Sequence, residues 1–415
     1  MEYKKKLIEV ALPLDAINAE SAREKSIRHG HPSTLHLWWS RKPTATARAV
    51  IFASLVDDPS SHPDRFPTEE AQNAERKRLF DIIANLVKWE NSNNEYILNV
   101  AKNEILKSTD GKPPALLDPF SGGGTIPLEA QRLGLEAHAS DLNPVAVIIN
   151  KAMIEVPPKF ADQPPVNPES NCLTGTWKGA KGLAEDVRYY GEWLKNKAFE
   201  KIGYLYPKIK DEHGQEYTVI AWLWARTVKC PNPACGCQMP LTSSFIVSKK
   251  SGRETYVEPI ISDNKVSFVV KQGRKAPDGT VKRSGAKCIF CGQPVGFPYI
   301  REEGKNGRIG SEMIAIVGLG SSGRIYFSPT DEHINTALSA KPNDPPQGEL
   351  GYYPGYINPV GYGITHFDKM FTPRQLTAMT TFRDLISEVK KQIIDDARST
   401  ISDEVKRKEY SNAIA

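Results

Sequence analysis

The glycine-rich stretch after residue 115 limits the possible folds of this chain more than any other feature. A short apolar strand ends at Asp118, and three consecutive glycines follow at positions 122–124. Pro127 suits the first turn of a helix, and a later glycine suits its end. A second apolar segment then leads to Asp141. This order of strand, glycine-rich turn, helix and strand predicts the first half of a parallel α/β sheet.

The turn between the two strands has the composition of a cofactor-binding loop. Gly122 and Gly124 can adopt positive φ and approach a ligand closely, and Thr125 is predicted to cap the helix that follows. The turn departs from the dinucleotide pattern G-x-G-x-x-G, and the carboxylate of Asp118 would repel a pyrophosphate. We expect Asp118 to accept from the ammonium of S-adenosylmethionine and Asp141 to accept from its ribose hydroxyls. The alternative is a glycine-rich turn in another kind of α/β domain.

Composition and charge restrict the class of protein. With 415 residues, of which 40% are hydrophobic and 25% charged, the chain is long enough for two or three domains. It has no run of 18 apolar residues, and no apolar signal segment follows the N-terminal lysines. These observations predict a cytoplasmic protein with no membrane partner. The net charge of +5 permits a nucleic-acid partner without requiring one.

Five of the six cysteines form two short clusters. Cys230, Cys235 and Cys237 lie in the first cluster, and Cys288 and Cys291 lie in the second. In a cytoplasmic chain this spacing favours metal ligands over disulfides. We predict a closed, tetrahedral, structural zinc site. Its predicted ligands are Cys230, Cys235, Cys288 and Cys291.

Two alternatives remain open for these cysteines. Cys237 could replace Cys235 as a ligand, because only one residue separates them. The cysteine pairs could also be redox-active or form disulfides. The sixth cysteine, Cys172, stands apart and is predicted to be a buried thiol.

The segment between the two cysteine clusters is predicted to be rich in β-strands. Apolar residues alternate or cluster at 244–248, 256–261 and 266–270, with turn residues at 252 and at 263–264. This pattern predicts a zinc ribbon with an enlarged hairpin insert. Basic residues surround it and could either contact phosphates or form a solvated rim. They are Lys249, Lys250, Arg253, Lys282, Arg283 and Lys287.

A third dense cluster lies near the N-terminus. Three histidines between residues 29 and 36 precede Trp38 and Trp39. No carboxylate follows the histidines at helical spacing, which argues against a metal site. Adjacent tryptophans are typical of a core or an interface, and one could stack on a base. Lys42 and Pro43 then precede a predicted apolar helix.

Together these segments resemble the bacterial and archaeal adenine-specific DNA methylases that contain a zinc ribbon and begin with a domain of unknown function. The resembling stretches are residues 12–43, 118–125 with 141–146, the ribbon, and 362–376. The resemblance implies transfer of a methyl group from S-adenosylmethionine to a base amine, with adenine in DNA as the target, often in phage defence. It also implies that Lys42 and Pro43 line the methionine end of the cofactor. The predicted cofactor site comprises Asp118, Phe120, Gly122, Gly124, Thr125, Asp141, Asn143, Lys42 and Pro43.

The catalytic residues of such an enzyme are not identifiable in this sequence. Amino-methyltransferases carry an Asp/Asn-Pro-Pro-aromatic tetrad that binds the target amine and stacks on a flipped base. The one Asp-Pro-Pro here, residues 344–346, precedes Gln347 in a polar segment. We therefore predict an N-terminal fragment, or one half of a split enzyme whose second chain supplies the tetrad. Alone, it is expected to bind cofactor weakly or not at all and not to methylate DNA.

Two other functions remain open. The first is a non-catalytic nucleic-acid-binding module, in which the ribbon binds and the glycine loop has no ligand. The second is a methyltransferase acting on RNA. A further glycine series at residues 318–323 resembles a dinucleotide pattern, but a strand rather than a helix follows it, so we predict a β-hairpin.

The predicted fold class is α/β, with an incomplete Rossmann-like methyltransferase core and an inserted β-rich zinc ribbon. Helices are predicted over residues 45–55, 74–86, 96–106, 183–202 and 373–399. The last of these is expected to expose an apolar face to strands that this chain lacks. The predicted segments are an N-terminal cluster with its lysine-proline helix (1–60), a helical insertion (61–113), the cofactor-binding half (114–205), the zinc-ribbon domain (217–330), and a loop with the C-terminal helix (331–415).

Overall fold

The computed structural model describes residues 4–170, 175–263, 265–353 and 358–415. It divides the chain into two compact units. Unit 1 comprises Met1–Arg188 and Asp396–Ile414, and unit 2 comprises Tyr189–Asp395 with Ala415. The predictions made for Cys172 and for the turn residue Asn264 lie outside the described residues. Helices and strands both contribute, which confirms a mixed helix-and-sheet protein.

The described residues form thirteen α-helices. They are α1 (Leu14–Arg23), α2 (Thr44–Leu55), α3 (Glu69–Leu86), α4 (Glu95–Ser108), α5 (Thr125–Arg132), α6 (Pro144–Asn150), α7 (Val156–Lys159), α8 (Lys181–Ile202), α9 (Phe297–Lys305), α10 (Asp331–Leu338), α11 (Asn358–Gly361), α12 (Pro373–Asp396) and α13 (Glu404–Ile414). Each helix predicted from the apolar pattern is present, because long periodic segments carry the strongest sequence signal.

The same residues form thirteen β-strands. They are β1 (Leu116–Asp118), β2 (Ala137–Ala139), β3 (Ile209–Lys210), β4 (Glu216–Lys229), β5 (Gln238–Leu241), β6 (Ile246–Ser248), β7 (Thr255–Ser262), β8 (Lys265–Gln272), β9 (Val281–Lys282), β10 (Gly285–Lys287), β11 (Pro294–Val295), β12 (Gly310–Gly320) and β13 (Gly323–Phe327). The first two belong to unit 1 and the others to unit 2.

Helix α2 is the centre of unit 1. Eight of its twelve residues are buried, five of them alanine or threonine, so neighbouring elements can approach it closely. Its apolar side chains share one core with α3, α4 and α5. A helix that is apolar nearly all round must be covered on every side, and α2 therefore organises the helices around it.

A buried ion pair joins α2 to the helix behind the glycine loop. The Arg48 Nε donates to Oε2 of Glu129 at 2.6 Å, and both side chains have no solvent exposure. The other two guanidinium nitrogens donate to the carbonyl of Leu86 at 2.7 Å and to Oγ of Ser92 at 2.9 Å. A buried charge is tolerated only when its partners are complete, so this pair fixes α2 against α5.

The strand–loop–helix–strand order predicted after residue 115 is present in unit 1. Strands β1 and β2 pair in parallel, with Leu116 opposite Ala137 and Asp118 opposite Ala139. Helix α5 connects them and ends at Arg132, and Gly134 just beyond its cap has φ of +80°. Among the described residues no third strand joins this sheet. One edge of β1 is therefore open.

Unit 2 is mainly antiparallel. Strands β13, β12, β4 and β3 form one sheet in that order, and β5 adds to β4. The insert predicted between the cysteine clusters is a separate sheet of β6, β7 and β8, which confirms its three strands. Strands β12 and β13 form a hairpin in which Gly320 lies opposite Gly323. The glycine series at this turn is thus a hairpin, as predicted.

The expectation that the C-terminal helix exposes its apolar face is wrong. Helix α12 already buries most of its apolar face within this chain, including Leu385, Val389 and Ile393. Only Met379 and Phe382 on that face remain about half exposed. A further helix, α13, follows and buries Tyr410, whose hydroxyl donates to Asp186 at 2.6 Å. The sequence of α13 is too polar for its periodicity to reveal it.

No helix in the described part of the chain combines the length and the apolar character needed to cross a membrane. The longest helix among the described residues, α12, carries Arg374 in its first turn and several charged residues from Arg383 onwards.

We predict that Glu129→Gln destabilises the protein strongly. The substitution keeps the shape of the side chain but leaves the buried Arg48 charge without its counter-ion, at a cost of about 3–5 kcal/mol. Urea unfolding followed by tryptophan fluorescence measures the loss. Glu409→Gln is the matched control, because Glu409 pairs with Lys159 on the surface of the same unit. Loss of this exposed pair should lower the free energy of unfolding by less than about 1 kcal/mol. Equal effects of the two substitutions would contradict the role of the buried pair.

Candidate functional site

The two cysteine clusters lie at the tips of two β-hairpins in unit 2. Strand β4 ends just before Cys230 and β5 begins just after Cys237, with Lys229 opposite Gln238. Strands β10 and β11 enclose the second cluster in the same way, with Lys287 opposite Pro294. Each tip needs a left-handed residue, which glycine supplies at Gly236 (φ +58°) and Gly292 (φ +74°).

The hairpin tips bring four thiols together. The sulfur atoms of Cys230, Cys235, Cys288 and Cys291 all lie within 4.8 Å of one another. The Sγ–Sγ distance is 3.8 Å between Cys230 and Cys291 and 3.9 Å between Cys235 and Cys288. Tetrahedral zinc with Zn–S bonds of about 2.3 Å requires sulfurs about 3.8 Å apart. The donor set and its spacing therefore fit a closed metal site.

The thiols of this cluster differ in pKa. Burial raises the pKa of the Cys230 thiol to about 12. The backbone N–H of Gln293 lowers the pKa of Cys291 to about 7. Four neighbouring thiolates would repel one another in the absence of a metal, whereas a bound divalent cation stabilises the deprotonated form.

Cys237 lies beside the cluster but outside it. Its Sγ contacts the carbonyl oxygen of Cys235 at 3.2 Å, and its own carbonyl accepts from the N–H of Cys230 at 2.9 Å. It therefore closes the hairpin tip and is not one of the four clustered sulfurs. The geometry selects Cys235 over Cys237, the choice that the sequence left open.

The second candidate site is the end of the β1–β2 sheet in unit 1. The N–H of Ser140 donates to the carbonyl of Asp118, and the N–H of Ser121 donates to the carbonyl of Ser140, both at 3.0 Å. The Asp141 carboxylate accepts from the N–H of Gly122 and of Asn143, each at 2.8 Å. These bonds bring the two strand ends and the glycine loop together.

The bonds to Asp141 also set its charge. The backbone N–H groups of Asn143 and Gly122 hold the pKa of Asp141 below its usual range. The residue is therefore an anion near neutral pH. Each carboxylate oxygen accepts one backbone bond in the structure and can accept another. The Asp118 carboxylate accepts the N–H of Phe120 at 3.2 Å.

The glycine loop has the backbone that the sequence predicts. Gly122 and Gly124 adopt φ of +48° and +73°. A Cβ atom on Gly122 would lie 2.6 Å from Nε1 of Trp38, and one on Gly124 would lie 2.4 Å from Cε of Met153. At both positions a side chain would strain the backbone and would displace a neighbouring atom, so glycine is strongly favoured.

A cavity of about 300 Å³ lies beside the loop, lined by the end of β2 and by α5 and α6. Its lining includes Ser121, Asp141 and Asn150. Two buried polar atoms nearby, Oγ1 of Thr125 and Oδ1 of Asn150, have no hydrogen-bond partner. An anion at the strand end, a glycine-rich loop and two unpartnered polar atoms make this cavity suitable for a polar ligand.

The remaining predicted cofactor residues have other roles in the structure. Thr125 is the first residue of α5, and Gly124 occupies the cap position predicted for it, because only glycine adopts that left-handed conformation without strain. The Asn143 side chain caps α6 by accepting from Val145 at 3.0 Å. Pro43 precedes α2, and Lys42 lines an apolar cavity along β1. Phe120 is 82% exposed on the loop.

Sequence reasoning missed the residues that hold the loop in place. The Nη1 of Arg41 donates to the carbonyl of Gly123 at 2.6 Å, and the Trp38 ring packs against Gly122. The Nδ2 of Asn150 donates to Oγ of Ser121 at 3.0 Å and to the carbonyl of Gly122 at 3.2 Å. Arg41 lies next to the predicted lysine-proline segment. A long-range partner cannot be identified from local spacing.

The comparisons with known proteins describe only the N-terminal part. A family model described as "Protein of unknown function (DUF1156)" matches residues 11–82. This range covers α1, α2 and most of α3 and includes Arg41 and Arg48. No curated protein and no solved structure was found to match the chain.

We predict that the purified protein holds about one zinc ion per chain. Cys235→Ser should abolish this zinc, because three thiolates and a hydroxyl cannot complete the site. Cys237→Ser is the matched control and should keep it, because its sulfur lies outside the four. Metal content by mass spectrometry, with thermal unfolding before and after chelation, checks both. If Cys237→Ser lost its zinc and Cys235→Ser kept it, Cys237 rather than Cys235 would be the ligand.

Proposed function

We propose that this chain is the cofactor-binding part of an S-adenosylmethionine-dependent DNA methyltransferase that acts on the exocyclic amine of adenine. The observation that carries the proposal is the anionic Asp141, held by backbone N–H groups at the strand end beside a glycine loop and a cavity. This arrangement suits a nucleoside whose ribose hydroxyls donate to a carboxylate. The cofactor would supply an activated methyl group.

The chain's own residues would bind and orient that cofactor. Asp141 would accept from the ribose, and Asp118, at the end of the adjacent strand, would accept from the methionine ammonium. The loop at Gly122 and Gly124 would give the backbone close access. Phe120 would lie against the cofactor from the exposed side of the loop. Catalytic residues that contact the target amine remain unassigned.

A second chain is proposed to supply the catalytic half. The N–H and C=O of Leu117 face the open edge of β1, since Leu116 and Asp118 bond across to β2. An apolar cavity of about 560 Å³ follows that edge, and Leu117 is 64% exposed. Parallel sheets are normally buried on both faces and continue beyond two strands. A further strand at this edge would complete the sheet.

The four-cysteine cluster is proposed to hold zinc and to stabilise the β-ribbon of unit 2. Its role is structural, because four thiolates leave no open position for chemistry. We propose the cytoplasm as its compartment, where thiols stay reduced. The basic residues near the ribbon are proposed to contact DNA phosphates.

One observation favours a non-catalytic nucleic-acid-binding protein as the second candidate. Lys249, Lys250, Lys282, Arg283 and Lys287 form no ion pair with any carboxylate in the described part of the chain. Exposed basic side chains without carboxylate partners suit a polyanion whether or not the glycine loop binds a cofactor. RNA would suit these basic side chains as well as DNA would.

We predict that S-adenosylhomocysteine binds the chain weakly and that Asp141→Ala weakens it further by at least about tenfold. The substitution removes the acceptor for the ribose hydroxyls. Ligand-observed NMR measures the binding, and Glu70→Ala, an exposed carboxylate on α3, is the matched control. Two results would favour the second candidate. One is that Asp141→Ala binds S-adenosylhomocysteine as well as the wild-type chain does. The other is that the wild-type chain binds nucleic acid but does not bind S-adenosylhomocysteine.

A further inference from the structure

A second cavity, in unit 2, is not explained by the proposed cofactor site. It has a volume of about 410 Å³, within the range of about 300–1,000 Å³ that is typical of small-ligand pockets. It opens beside the hairpins of the cysteine cluster, because Leu241 of β5 and Val281 of β9 both contribute to its wall. Three of its nine lining residues, Arg226, Leu241 and Val281, lie on strands.

One cation lies in this otherwise apolar wall. The half-buried Arg226 of β4 lines the cavity, and its Nη2 donates to the carbonyls of Lys369 and Met370 at 3.0 and 3.1 Å. No carboxylate in the described residues pairs with it, and burial lowers the pKa of its guanidinium. Its Nε and Nη1 donate to no acceptor among the described residues. A guanidinium edge of this kind suits a phosphate or carboxylate oxygen.

The other lining residues are mainly apolar, and two of them carry hydroxyl groups. Leu241, Val281 and Ile309 form the aliphatic wall, and Tyr362 and Ser243 add a ring and hydroxyls. An aromatic base with its own polar edge fits such a wall better than a flexible chain does, because it can stack on the ring and bond to a hydroxyl.

The surroundings of the cavity favour a ligand that belongs to a polyanion. Lys282 and Arg283 follow the lining residue Val281 directly, and both are exposed. Neither pairs with a carboxylate in the described part of unit 2. Exposed cations that no carboxylate neutralises favour an anionic ligand such as a phosphate.

We propose that the Arg226 cavity binds one nucleoside monophosphate unit, with the phosphate on the guanidinium and the base against the apolar wall. The unit is either a free nucleotide or part of a single strand, and the two share this chemistry. The inference rests on the proposed nucleic-acid substrate but not on the cofactor site. In this proposal, unit 2 binds a displaced nucleotide close to the β-ribbon.

The test measures binding of three probes to the full chain: deoxyadenosine monophosphate, a short fluorescein-labelled single strand, and its duplex. Arg226→Gln should weaken the nucleotide and the single strand by at least about tenfold. Duplex binding should change less, because exposed lysines and arginines carry it. Arg324→Gln, an exposed arginine on β13, is the matched control and should have no effect.

A second variant tests the cavity independently, in case Arg226→Gln fails to fold. Val281→Trp fills the cavity but keeps the guanidinium, and it should produce the same loss while metal content and thermal unfolding stay at the wild-type values. Nucleotide binding that both variants leave unchanged would overturn the proposal. Binding of dodecanoate without binding of the nucleotide would also overturn it and would assign the cavity to an acyl carboxylate. Arg226→Gln should leave the binding of S-adenosylhomocysteine unchanged, which separates this outcome from failure of the cofactor site.

Discussion

The buried ion pair between Arg48 and Glu129 is the interaction on which unit 1 depends. Neither side chain reaches solvent, and Arg48 also satisfies the carbonyl of Leu86 and the hydroxyl of Ser92. It joins the segment that matches the family model to the helix behind the glycine loop. A charge pair of this kind adds little net stability but strongly penalises any other arrangement, so it specifies one position for α5.

The glycine loop is held from three sides by residues that are far apart in sequence. Arg41 binds its middle carbonyl, Asn150 binds Gly122 from α6, and Asp141 accepts from the same glycine. A preorganised loop costs less entropy when a ligand binds, because its backbone is already ordered. In the proposed site, the N-terminal segment would therefore support the loop that contacts the nucleoside.

The sequence predicts what depends on local chemistry. The order of β1, α5 and β2, the helix over 373–399 and the four clustered cysteines follow from periodicity, turn residues and ligand spacing. It does not predict what depends on distant partners. Arg48 is one charge in an apolar helix, and only the fold reveals Glu129, 81 residues away, as its partner. The buried face of α12 was missed for the same reason.

The central claim is that a nucleoside lies between the glycine loop and the carboxylate of Asp141. The most direct measurement is ultraviolet crosslinking of methyl-labelled S-adenosylmethionine to the purified chain, followed by peptide mapping. The account predicts label within residues 118–143, lost when excess S-adenosylhomocysteine is present. Label confined to unit 2, or label that S-adenosylhomocysteine does not displace, would contradict it.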